Sequence, residues 1–554
     1  MGSYPENIFK DATVVIPAAG GSRDVLGRIS DFPAALIRLG SKPIIYLSIE
    51  YLIEQGFRNF RIGVQKSYLS NFQSTLKSFE PEADIEFYEG VPGESSIGTI
   101  KRLIDGLPES SPILINLGDT LCKWDTNLLK NSSTAILLEK VPETERWSTA
   151  SLDDENFVTK IFEKGNLSSG VFGICGVYWW QSASQLFSVF PKNLAGAEIS
   201  DVLYPFVGKA MRGITPEVWC DSDHGDMREN SRHRILESRS FNRIEIDDFR
   251  GTIKKSSTNA EKLKMEIEYY KNLPSQLKIF FPRMLDYSEV PEKVSQVLEY
   301  YSYPTLSEIY CYEDAPNFVW KRVLGKLSRI TFDEFSSHGQ QVVESQPTLR
   351  EVFIDKTKLR NLELAKRDDE LSTLLSAHEI KINTKKYKGV HEILSQSKKV
   401  VDSLSSQNSV IHGDFCLSNI LCEPDSNNIK LIDPRGGFSE ASCFGPQLYD
   451  VAKLGHSLVG RYDLIIADKF VLDLSNLENS EIRFEILETA SHSEIEAEYL
   501  NTYLNGRVAK PVAKLLSGLI LLSIPIFHLD RVDRATAMIL QGIRLTNEAL
   551  RELA

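Results

Sequence analysis

The chain has 554 residues, more than one hydrophobic core usually organises, so its length predicts two domains. Apolar residues make up 42% and charged residues 25% of the chain, which is typical of globular proteins. A formal net charge of -13 disfavours DNA or RNA as a partner, because nucleic-acid binding requires a basic surface. The seven cysteines form no CxxC pair, which disfavours a zinc site and predicts a reducing, cytoplasmic location.

The sequence predicts no targeting or membrane-spanning segment. Residues 1–10 are polar and lack the basic and apolar regions of a secretory signal. The longest apolar stretch, residues 515–529, is interrupted by polar residues and Pro525, and it is shorter than the roughly 20 residues that cross a bilayer. We therefore expect a buried helix there and no membrane insertion.

The first part of the chain alternates between predicted strands and helices. Strands are expected at residues 12–17, 59–64, 85–88 and 112–117, and helices at residues 44–55, 68–79 and 97–107. This alternation predicts a Rossmann-like α/β domain whose parallel sheet binds ligands at its carboxyl edge. Residues 134–180 are richer in strands, as a subdomain that covers a substrate would be. We expect this domain to span residues 1–235.

Short polar motifs follow the predicted strands of this first domain. Residues 17–23 (PAAGGSR) place glycines directly after the first strand, where backbone N–H groups and the next helix terminus can neutralise a triphosphate. The further motifs, in chain order, are Gly40-Ser41-Lys42-Pro43, Gly98-Thr99, Gly118-Asp119, Glu163-Lys164 and Trp219-Cys220-Asp221. Two carboxylates around one Mg²⁺ and cations for the phosphates are what nucleotidyl transfer requires.

In this order the motifs resemble those of sugar-phosphate and choline-phosphate nucleotidyltransferases, which have a GT-A-like fold. The resemblance implies that Gly20, Gly21 and Ser22 bind the phosphates of a nucleoside triphosphate (NTP). It implies a role for each of the following residues: Arg23 at the leaving pyrophosphate, Gly98 and Thr99 near the base, Lys164 at the sugar or phosphate, and Asp119 and Asp221 at Mg²⁺. Asp223 and Asp226 lie close to Asp221 and are alternatives to it.

Two features depart from that family. The glycine loop is one residue shorter, and the customary Pro-Lys dipeptide appears as Pro33-Ala34, so a phosphate-binding lysine is missing. Losing a point charge from a dry phosphate site weakens transition-state stabilisation. Arg28, Arg38 and Lys164 are candidates to replace it. If none does, the domain binds a nucleotide or product without turnover.

The second domain is predicted to cover residues 236–554. Its small lobe, about residues 236–305, opens with a hairpin at 241–246 and 251–255, followed by an amphipathic helix at 261–272 and a buried strand at 296–301. The remainder, a large lobe of about residues 306–554, is expected to be mainly helical.

The sharpest motif of the chain is His412-Gly413-Asp414 followed by Asn419, with IKLID at residues 429–433. Phosphoryl transfer needs a carboxylate that orients the acceptor hydroxyl and oxygen ligands that hold Mg²⁺ against the nucleotide phosphates. Asp414 is therefore the candidate base. A strand, turn and strand over residues 420–432 would deliver Asp433 beside Asn419, which makes these two residues the candidate Mg²⁺ ligands.

These residues resemble the Brenner motif of aminoglycoside phosphotransferases and choline kinases, which implies a protein-kinase-like α+β fold. The resemblance implies roles for residues on both sides of the motif: Asp450 as a support of the catalytic loop, Lys255 (or Lys254) with Glu266 as the phosphate-binding pair, and Glu299 on the strand that binds adenine. Arg435, two residues after Asp433, is a hypothetical contact to substrate or phosphate.

Together the two modules predict a bifunctional enzyme with Mg²⁺, ATP, a second NTP and small molecules as ligands. The kinase would phosphorylate a hydroxyl, and the other module would join that phosphate to a nucleoside monophosphate, as in the synthesis of cell-surface polysaccharide precursors. Two alternatives are an active kinase with a degenerate first domain and a non-catalytic nucleotide-sensing scaffold. The acceptor stays open between a sugar, a polyol and an amino alcohol. A quaternary ammonium would need an aromatic cage, for which Trp179, Trp180, Tyr301 and Tyr303 are candidates. A homo-oligomer is compatible with the sequence.

Overall fold

The computed structural model divides the chain into two compact units, Met1–Ile235 and Leu236–Ala554. The structure describes residues 8–554 apart from 24–28, 40–41, 80–81, 92–93, 142–146, 165–171, 192–193, 195–196, 209, 222–241, 248–249, 258–259, 291–292, 313–314, 339–347, 424–425, 427, 436–442 and 477–480.

The first unit is built from short strands connected by helices. Its strands are β1 Thr13–Pro17, β2 Gly21–Arg23, β3 Ile29–Pro33, β4 Arg38–Leu39, β5 Lys42–Pro43, β6 Asn59–Val64, β7 Asp84–Glu89, β8 Ile113–Asn116, β9 Thr120–Lys123, β10 Thr134–Lys140, β11 Thr149–Leu152, β12 Val158–Phe162, β13 Phe172–Trp180, β14 Met211–Ile214 and β15 Val218–Asp221. Its helices are α1 Ile8–Asp11, α2 Ile44–Glu54, α3 Leu69–Leu76, α4 Ser96–Ile104, α5 Ala183–Phe187 and α6 Ile199–Leu203.

A nine-stranded mixed sheet forms the centre of this unit, and it confirms the predicted parallel α/β architecture. Strands β7, β6, β1 and β8 are parallel neighbours in that order, and β13 then continues the sheet antiparallel to β8. β1 and β8 are apolar and buried along nearly their whole length, as expected of parallel strands covered on both faces. The chain leaves β1 towards β6 and later returns to the other side of β1 as β8. The carboxyl ends of β1 and β8 therefore flank a topological switch point, where ligands bind in sheets of this kind.

The second unit begins with an antiparallel sheet and continues with helices. Its strands are β16 Asn242–Asp247, β17 Thr252–Ser257, β18 Met284–Val290, β19 Lys293–Glu299, β20 Glu379–Ile382, β21 Lys385–Lys388, β22 Asn408–Val410, β23 Ile420–Glu423, β24 Asn428–Leu431, β25 Phe444–Pro446, β26 Phe470–Asn476 and β27 Glu481–Ile486. Its helices are α7 Ala260–Asn272, α8 Leu306–Tyr312, α9 Asn317–Arg329, α10 Phe335–Ser337, α11 Lys356–Leu364, α12 Asp369–Ser376, α13 Val390–Ser403, α14 Gln447–Leu458, α15 Tyr462–Ile466, α16 Ala490–Glu498, α17 Lys510–Ser523 and α18 Val532–Leu553.

The small first sheet of this unit has the order β16-β17-β19-β18, and helix α7 packs against β19. The rest of the unit is mainly helical, but it also contains a second four-stranded sheet in the order β21-β20-β27-β26. β20 and β27 come from distant parts of the chain, because Lys381 pairs with Glu481. The sequence pattern does not indicate this sheet, since each of its strands is short and half polar.

Helices α14, α17 and α18 form the centre of the helical part. Within the described residues, one segment, Lys510–Phe527, is long and apolar enough to cross a membrane by length and composition. A share of 67% of this segment is buried inside the protein, where α17 packs against α14 and α18. The apolar stretch is thus part of the hydrophobic core of the second unit.

A glycine determines how closely α17 and α18 approach each other. A Cβ atom added to Gly518 would lie 2.5 Å from Thr546 Cγ2 and 3.1 Å from Thr546 N, so the two helices would have to move apart. Gly325 on α9 offers a matched control, because a Cβ atom there would meet its nearest neighbour, Thr502 Cγ2, at an ordinary 3.6 Å.

We expect Gly518→Ala to lower the free energy of unfolding by about 1–3 kcal/mol through overpacking. Gly325→Ala should instead raise it by up to about 1 kcal/mol, because alanine is the better helix former. Urea unfolding followed by far-UV circular dichroism measures both changes. Equal effects of the two substitutions would contradict the close packing of α17 and α18.

Candidate active sites

The glycine loop after β1 lies at the switch point of the first sheet. The Ala18 N–H donates to Gly63 O at 2.8 Å, and the Ala34 N–H donates to Gly20 O at 3.3 Å. Gly20 is exposed, and no heavy atom of the described residues lies within 4 Å of the position that a Cβ atom would take there. The backbone of Gly21 and Ser22 forms β2, which pairs with β3 in a short hairpin. Among the described residues, none fills the space in front of Gly20.

Several predicted cations of this loop lie outside the described part of the chain. The backbone of Arg23 ends β2, but its side chain is not described. Arg28, Asp223 and Asp226 lie outside the described residues. Arg38 lies in β4, but its side chain is not described. The roles that the sequence gives to these residues stay predictions.

The structure brings Asp119 and Asp221 to one place next to the glycine loop. β9 and β15 pair antiparallel, with Asp221 opposite Thr120, the residue that follows Asp119. A Cβ atom at Gly118 would lie 3.0 Å from Ala18 Cβ, so the absence of a side chain lets the Asp119 turn approach the loop after β1. Asp221 is buried and Asp119 is half-buried. Two carboxylates in this arrangement fit Mg²⁺, which takes one or two protein carboxylates and completes its shell with phosphate oxygens and water.

Gly98 and Thr99 are buried in the first turn of α4. The Ser95 hydroxyl accepts from the Gly98 N–H at 3.3 Å, and the Thr99 hydroxyl donates to Glu94 at 3.0 Å. Gly90, shortly before this helix, approaches the glycine loop, because a Cβ atom there would lie 3.3 Å from Ala19 Cβ. The hydrogen bonds of Gly98 and Thr99 thus cap the helix, and the segment before it contacts the loop.

Lys164 lies in an exposed turn after the edge strand β12. Two strands, β11 and β13, separate β12 from β8, a spacing of roughly 14 Å across the sheet. The neighbouring Glu163 accepts a hydrogen bond from the Tyr204 hydroxyl at 2.7 Å. The predicted contact of Lys164 to a sugar or phosphate stays a prediction.

In the second unit, Lys255 on β17 connects the small sheet to the segment after β24. Its Nζ atom lies 3.1 Å from Glu266 Oε1 on α7 and also forms an ion pair with Asp433. Burial disfavours the charge on Lys255, but the carboxylates of Asp433 and Glu266 outweigh it and raise the pKa of the ammonium group. Because side chains alternate along a strand, Lys254 points to the opposite face. The structure thus brings Lys255 together with Glu266 and Asp433.

Asp414 is a buried carboxylate between two cations. Lys453 Nζ on α14 lies 2.8 Å from Asp414 Oδ1, and Arg435 Nε lies 3.2 Å from Asp414 Oδ2. Burial alone would raise the pKa of Asp414, but the charges of Lys453 and Arg435 hold it well below its usual range. Asp414 is therefore ionised at neutral pH and can accept a hydrogen bond from an acceptor hydroxyl.

Sequence reasoning missed Lys453. It lies three residues after Asp450 on the same helix, so the two side chains share one face. This spacing is a signal that could have identified it.

Asn419 and Asp433 are adjacent because β23 and β24 form a hairpin. The Ile432 N–H donates to Asn419 O at 3.0 Å, and Asn419 Nδ2 donates to Asp414 O at 2.9 Å. Asp433 has a left-handed backbone with a φ of 54°, a strained conformation that is often found at functional sites. An amide oxygen and a carboxylate suit Mg²⁺. Within the described residues no group of three or more His, Cys, Asp or Glu side chains could hold a metal ion. A metal at Asn419 and Asp433 would therefore need further oxygens from the nucleotide or from water.

Asp450 supports the loop that carries Asp414. Its buried carboxylate accepts hydrogen bonds from the N–H groups of His412 at 2.6 Å and Gly413 at 3.0 Å. Gly413 has a φ of 77°, which favours glycine. His412 ties the same loop to the following hairpin, because its Nε2 atom lies 3.0 Å from Ile432 O and its Nδ1 atom accepts from the Asp414 N–H at 3.2 Å.

Glu299 lies at the end of β19. Its N–H donates to Arg283 O at 3.0 Å, and its carboxylate forms an ion pair with Arg283 at 3.0 Å. The N–H of Glu299 is thus part of the sheet. Its carboxylate also accepts from the Tyr301 hydroxyl at 3.2 Å, and its backbone pairs with Thr252 on β17. The predicted role of Glu299 in adenine binding stays a prediction.

Comparisons with known proteins give structural matches only. No protein-family model and no curated protein sequence matches the chain. The solved structures that match include two of HddC from Yersinia pseudotuberculosis, one of them complexed with GMP-PN, each at 20% identity over 40% of this chain and 99% of that chain, with a TM-score of 0.34. Another is a Bacillus anthracis protein assigned as a glucose-1-phosphate thymidylyltransferase, in complex with sucrose, at 16% identity over 42% of this chain and 96% of that chain, with a TM-score of 0.36. These matches concern the N-terminal part of the chain.

The His412 imidazole should be neutral at neutral pH, because burial lowers its pKa to about 4. We expect an NMR titration of its ring C–H signals, assigned with a His412→Gln variant, to show a midpoint far below the ordinary value of about 6.5. His412 then acts as a hydrogen-bonding spacer and Asp414 remains the base candidate. A midpoint near the ordinary value would contradict the buried, neutral state of this ring.

Proposed function

We propose that the protein is a bifunctional enzyme. Its second unit would phosphorylate a hydroxyl of a small molecule with ATP. Its first unit would transfer a nucleoside monophosphate from a second NTP to the resulting phosphate, giving a nucleotide-activated precursor for cell-surface polysaccharide. The observation that supports the kinase is that three segments of the chain converge: the loop with Asp414 and Asn419, the end of the β23-β24 hairpin with Asp433, and β17 with Lys255.

The kinase step follows from the charges of these residues. Asp414 would orient the acceptor hydroxyl and take its proton as the oxygen bonds to the γ-phosphorus, while the bond to the bridging oxygen breaks and ADP leaves. Lys255, held by Glu266, would bind the nucleotide phosphates. Asn419 and Asp433 would hold Mg²⁺, which neutralises phosphate charge when it is bound.

The proposed nucleotidyl transfer rests on the arrangement at the switch point of the first sheet. The exposed glycine loop would bind the triphosphate, and Asp119 and Asp221 would hold Mg²⁺. A phosphate oxygen of the substrate would attack the α-phosphorus, and pyrophosphate would leave with the broken bond. Arg23 and Lys164 are the proposed cations for this step.

Ala34 supports a second candidate, a kinase whose first unit only binds nucleotide. Ala34 is 4% exposed and its N–H contacts Gly20 O, so this position of the loop carries no cation.

The ion pairs of Asp414 oppose the third candidate, a non-catalytic scaffold. A protein that only binds a nucleotide has no need of a buried carboxylate held ionised beside the two candidate metal ligands.

Two variants separate the activities, and each is a control for the other. With ATP, Mg²⁺ and a metabolite panel, Asp414→Ala should reduce phosphorylation roughly 100-fold or more, because the acceptor loses its base. It should leave pyrophosphate release from an NTP and a phosphorylated substrate intact. Asp119→Ala should do the reverse. Asp402→Ala, at an exposed position of α13, controls for the loss of a carboxylate in general.

The outcomes distinguish the candidates. If no pair of NTP and substrate gave pyrophosphate while phosphorylation stayed intact, the kinase with a degenerate first unit would be favoured. Phosphorylation that is unaffected by Asp414→Ala would overturn the proposed kinase.

A further inference from the structure

A cluster of four cations lies around Asp414 on its helical side. We call Lys356, Arg360, Arg435 and Lys453 the cation cluster. Lys453 and Arg435 contact the Asp414 carboxylate at 2.8 Å and 3.2 Å. Lys356 and Arg360 are four residues apart on α11 and therefore lie on one face of that helix.

Helix packing holds the α11 members of the cluster in place. The Phe353 ring, one turn before Lys356, lies 6.1 Å from the Tyr449 ring on α14, centroid to centroid. Tyr449 is four residues before Lys453 on the same helix, so this contact places the start of α11 next to the Lys453 face of α14.

Arg360 donates to the Ser523 hydroxyl at 2.9 Å at the end of α17, and its guanidinium group lies 4.7 Å from the centre of the Phe527 ring. Arg360 is thus anchored through its edge and its face. An anchored guanidinium group is preorganised for a planar anion.

Burial and neighbouring cations disfavour the charged forms of Lys356 and Arg360. Burial, and then the charges of Arg360 and Lys453, lower the pKa of Lys356 to about 8. Burial and the charge of Arg435 also lower the pKa of Arg360, with an opposing contribution from Tyr449. An anion bound next to these two partly buried cations would stabilise their charged forms.

The cluster is built from other segments of the chain than the proposed nucleotide site. Lys255 reaches Asp433 from the small sheet, through β17. The cation cluster comes from α11, from α14 and from the segment after Asp433. The phosphates of ATP are assigned to Lys255, so the cluster is placed to meet the other substrate, the one whose hydroxyl Asp414 orients.

We propose that the acceptor carries an anionic group, a phosphate or a carboxylate, and that Lys356 and Arg360 bind this group while Asp414 orients the hydroxyl. The proposal rests on the proposed kinase function and narrows its substrate class. It opposes a choline-like acceptor, because a quaternary ammonium would be repelled by Lys356 and Arg360. It also gives the cations of α11 a function in specificity: they select an acidic acceptor over its neutral analogue.

The test compares four acceptors. Three form a matched set: a hexose, its 6-phosphate and the corresponding sugar acid. Choline is the cationic acceptor. ATP-dependent phosphorylation by the full-length protein should favour the phosphorylated or the carboxylated member over the neutral one by at least roughly 10-fold. The member that is preferred identifies the anion. Preference for the neutral sugar or for choline would overturn the proposal.

Substitutions on α11 test the assigned residues. Lys356→Gln and Arg360→Gln should each raise KM for the anionic acceptor roughly 10- to 100-fold and change kcat much less, because they remove binding of a group remote from the transferred phosphate. Lys358→Gln is the matched control, since Lys358 is an exposed lysine on the same helix and outside the cluster. Urea unfolding of each variant separates a binding defect from a folding defect, and Lys356→Gln leaves the Arg360 anchor intact.

The failures of the two proposals are distinguishable. The anionic acceptor would be overturned, with the kinase left standing, by two results together. The protein would phosphorylate a neutral or cationic acceptor in a reaction that Asp414→Ala abolishes, and Lys356→Gln and Arg360→Gln would leave KM for that acceptor unchanged. The kinase, and the anionic acceptor with it, would be overturned if no acceptor stimulated ATP consumption and Asp414→Ala did not change it.

Discussion

The hydrogen bonds from two backbone N–H groups to the Asp450 carboxylate hold the candidate catalytic loop in place. The carboxylate is buried, and burial raises its pKa to about 7 against the opposing effect of the N–H groups of His412 and Gly413. A buried carboxylate is costly unless such donors satisfy it, so the loop and α14 stabilise each other. The next turn of α14 carries Lys453, which pairs with Asp414. One helix thus fixes both the backbone and the charge of the candidate base.

The remaining parts of that site depend on this loop. His412 connects it to Ile432 at the end of the β24 segment, and Asn419 connects it to the Asp414 carbonyl. Asp433 then stands next to Asn419, in reach of Lys255 from the small sheet. The contacts form a continuous chain from α14 to β17. A displacement of the loop would therefore separate the proposed base, metal ligands and phosphate-binding lysine at once.

Local spacing predicted the candidate residues of one loop and the hairpin after it, whereas Lys255, Glu266 and Asp450 were expected only from the family resemblance. Asp414 and Asn419 share one loop, and Asp433 follows a hairpin that pairs locally, so short-range spacing was sufficient. Lys254 and Lys255 could not be separated from sequence, because strand alternation shows only that they face opposite sides and not which side meets α7. Asp221 needed the register between β9 and β15, which pairs it with Thr120 from a remote part of the chain.

Long-range packing explains what the sequence did not show. The cations of α11 reach the Asp414 region through the contact of Phe353 with Tyr449 on α14, and nothing in the local pattern around Arg360 indicates this neighbourhood. The second four-stranded sheet has the same origin, since β20 and β27 pair across a long stretch of chain. In both cases the structure depends on contacts between segments that are far apart in the sequence and share no short motif.

The central claim is that Asp414, Asn419, Asp433 and Lys255 form one ATP site. A crystal structure of the full-length protein with Mg²⁺ and a non-hydrolysable ATP analogue tests it most directly. We predict that the phosphates lie against Lys255 and that the metal lies between Asn419 and Asp433, with Asp414 facing the γ-phosphate. An analogue bound away from these four residues, or a metal with no contact to Asn419 and Asp433, would contradict the claim.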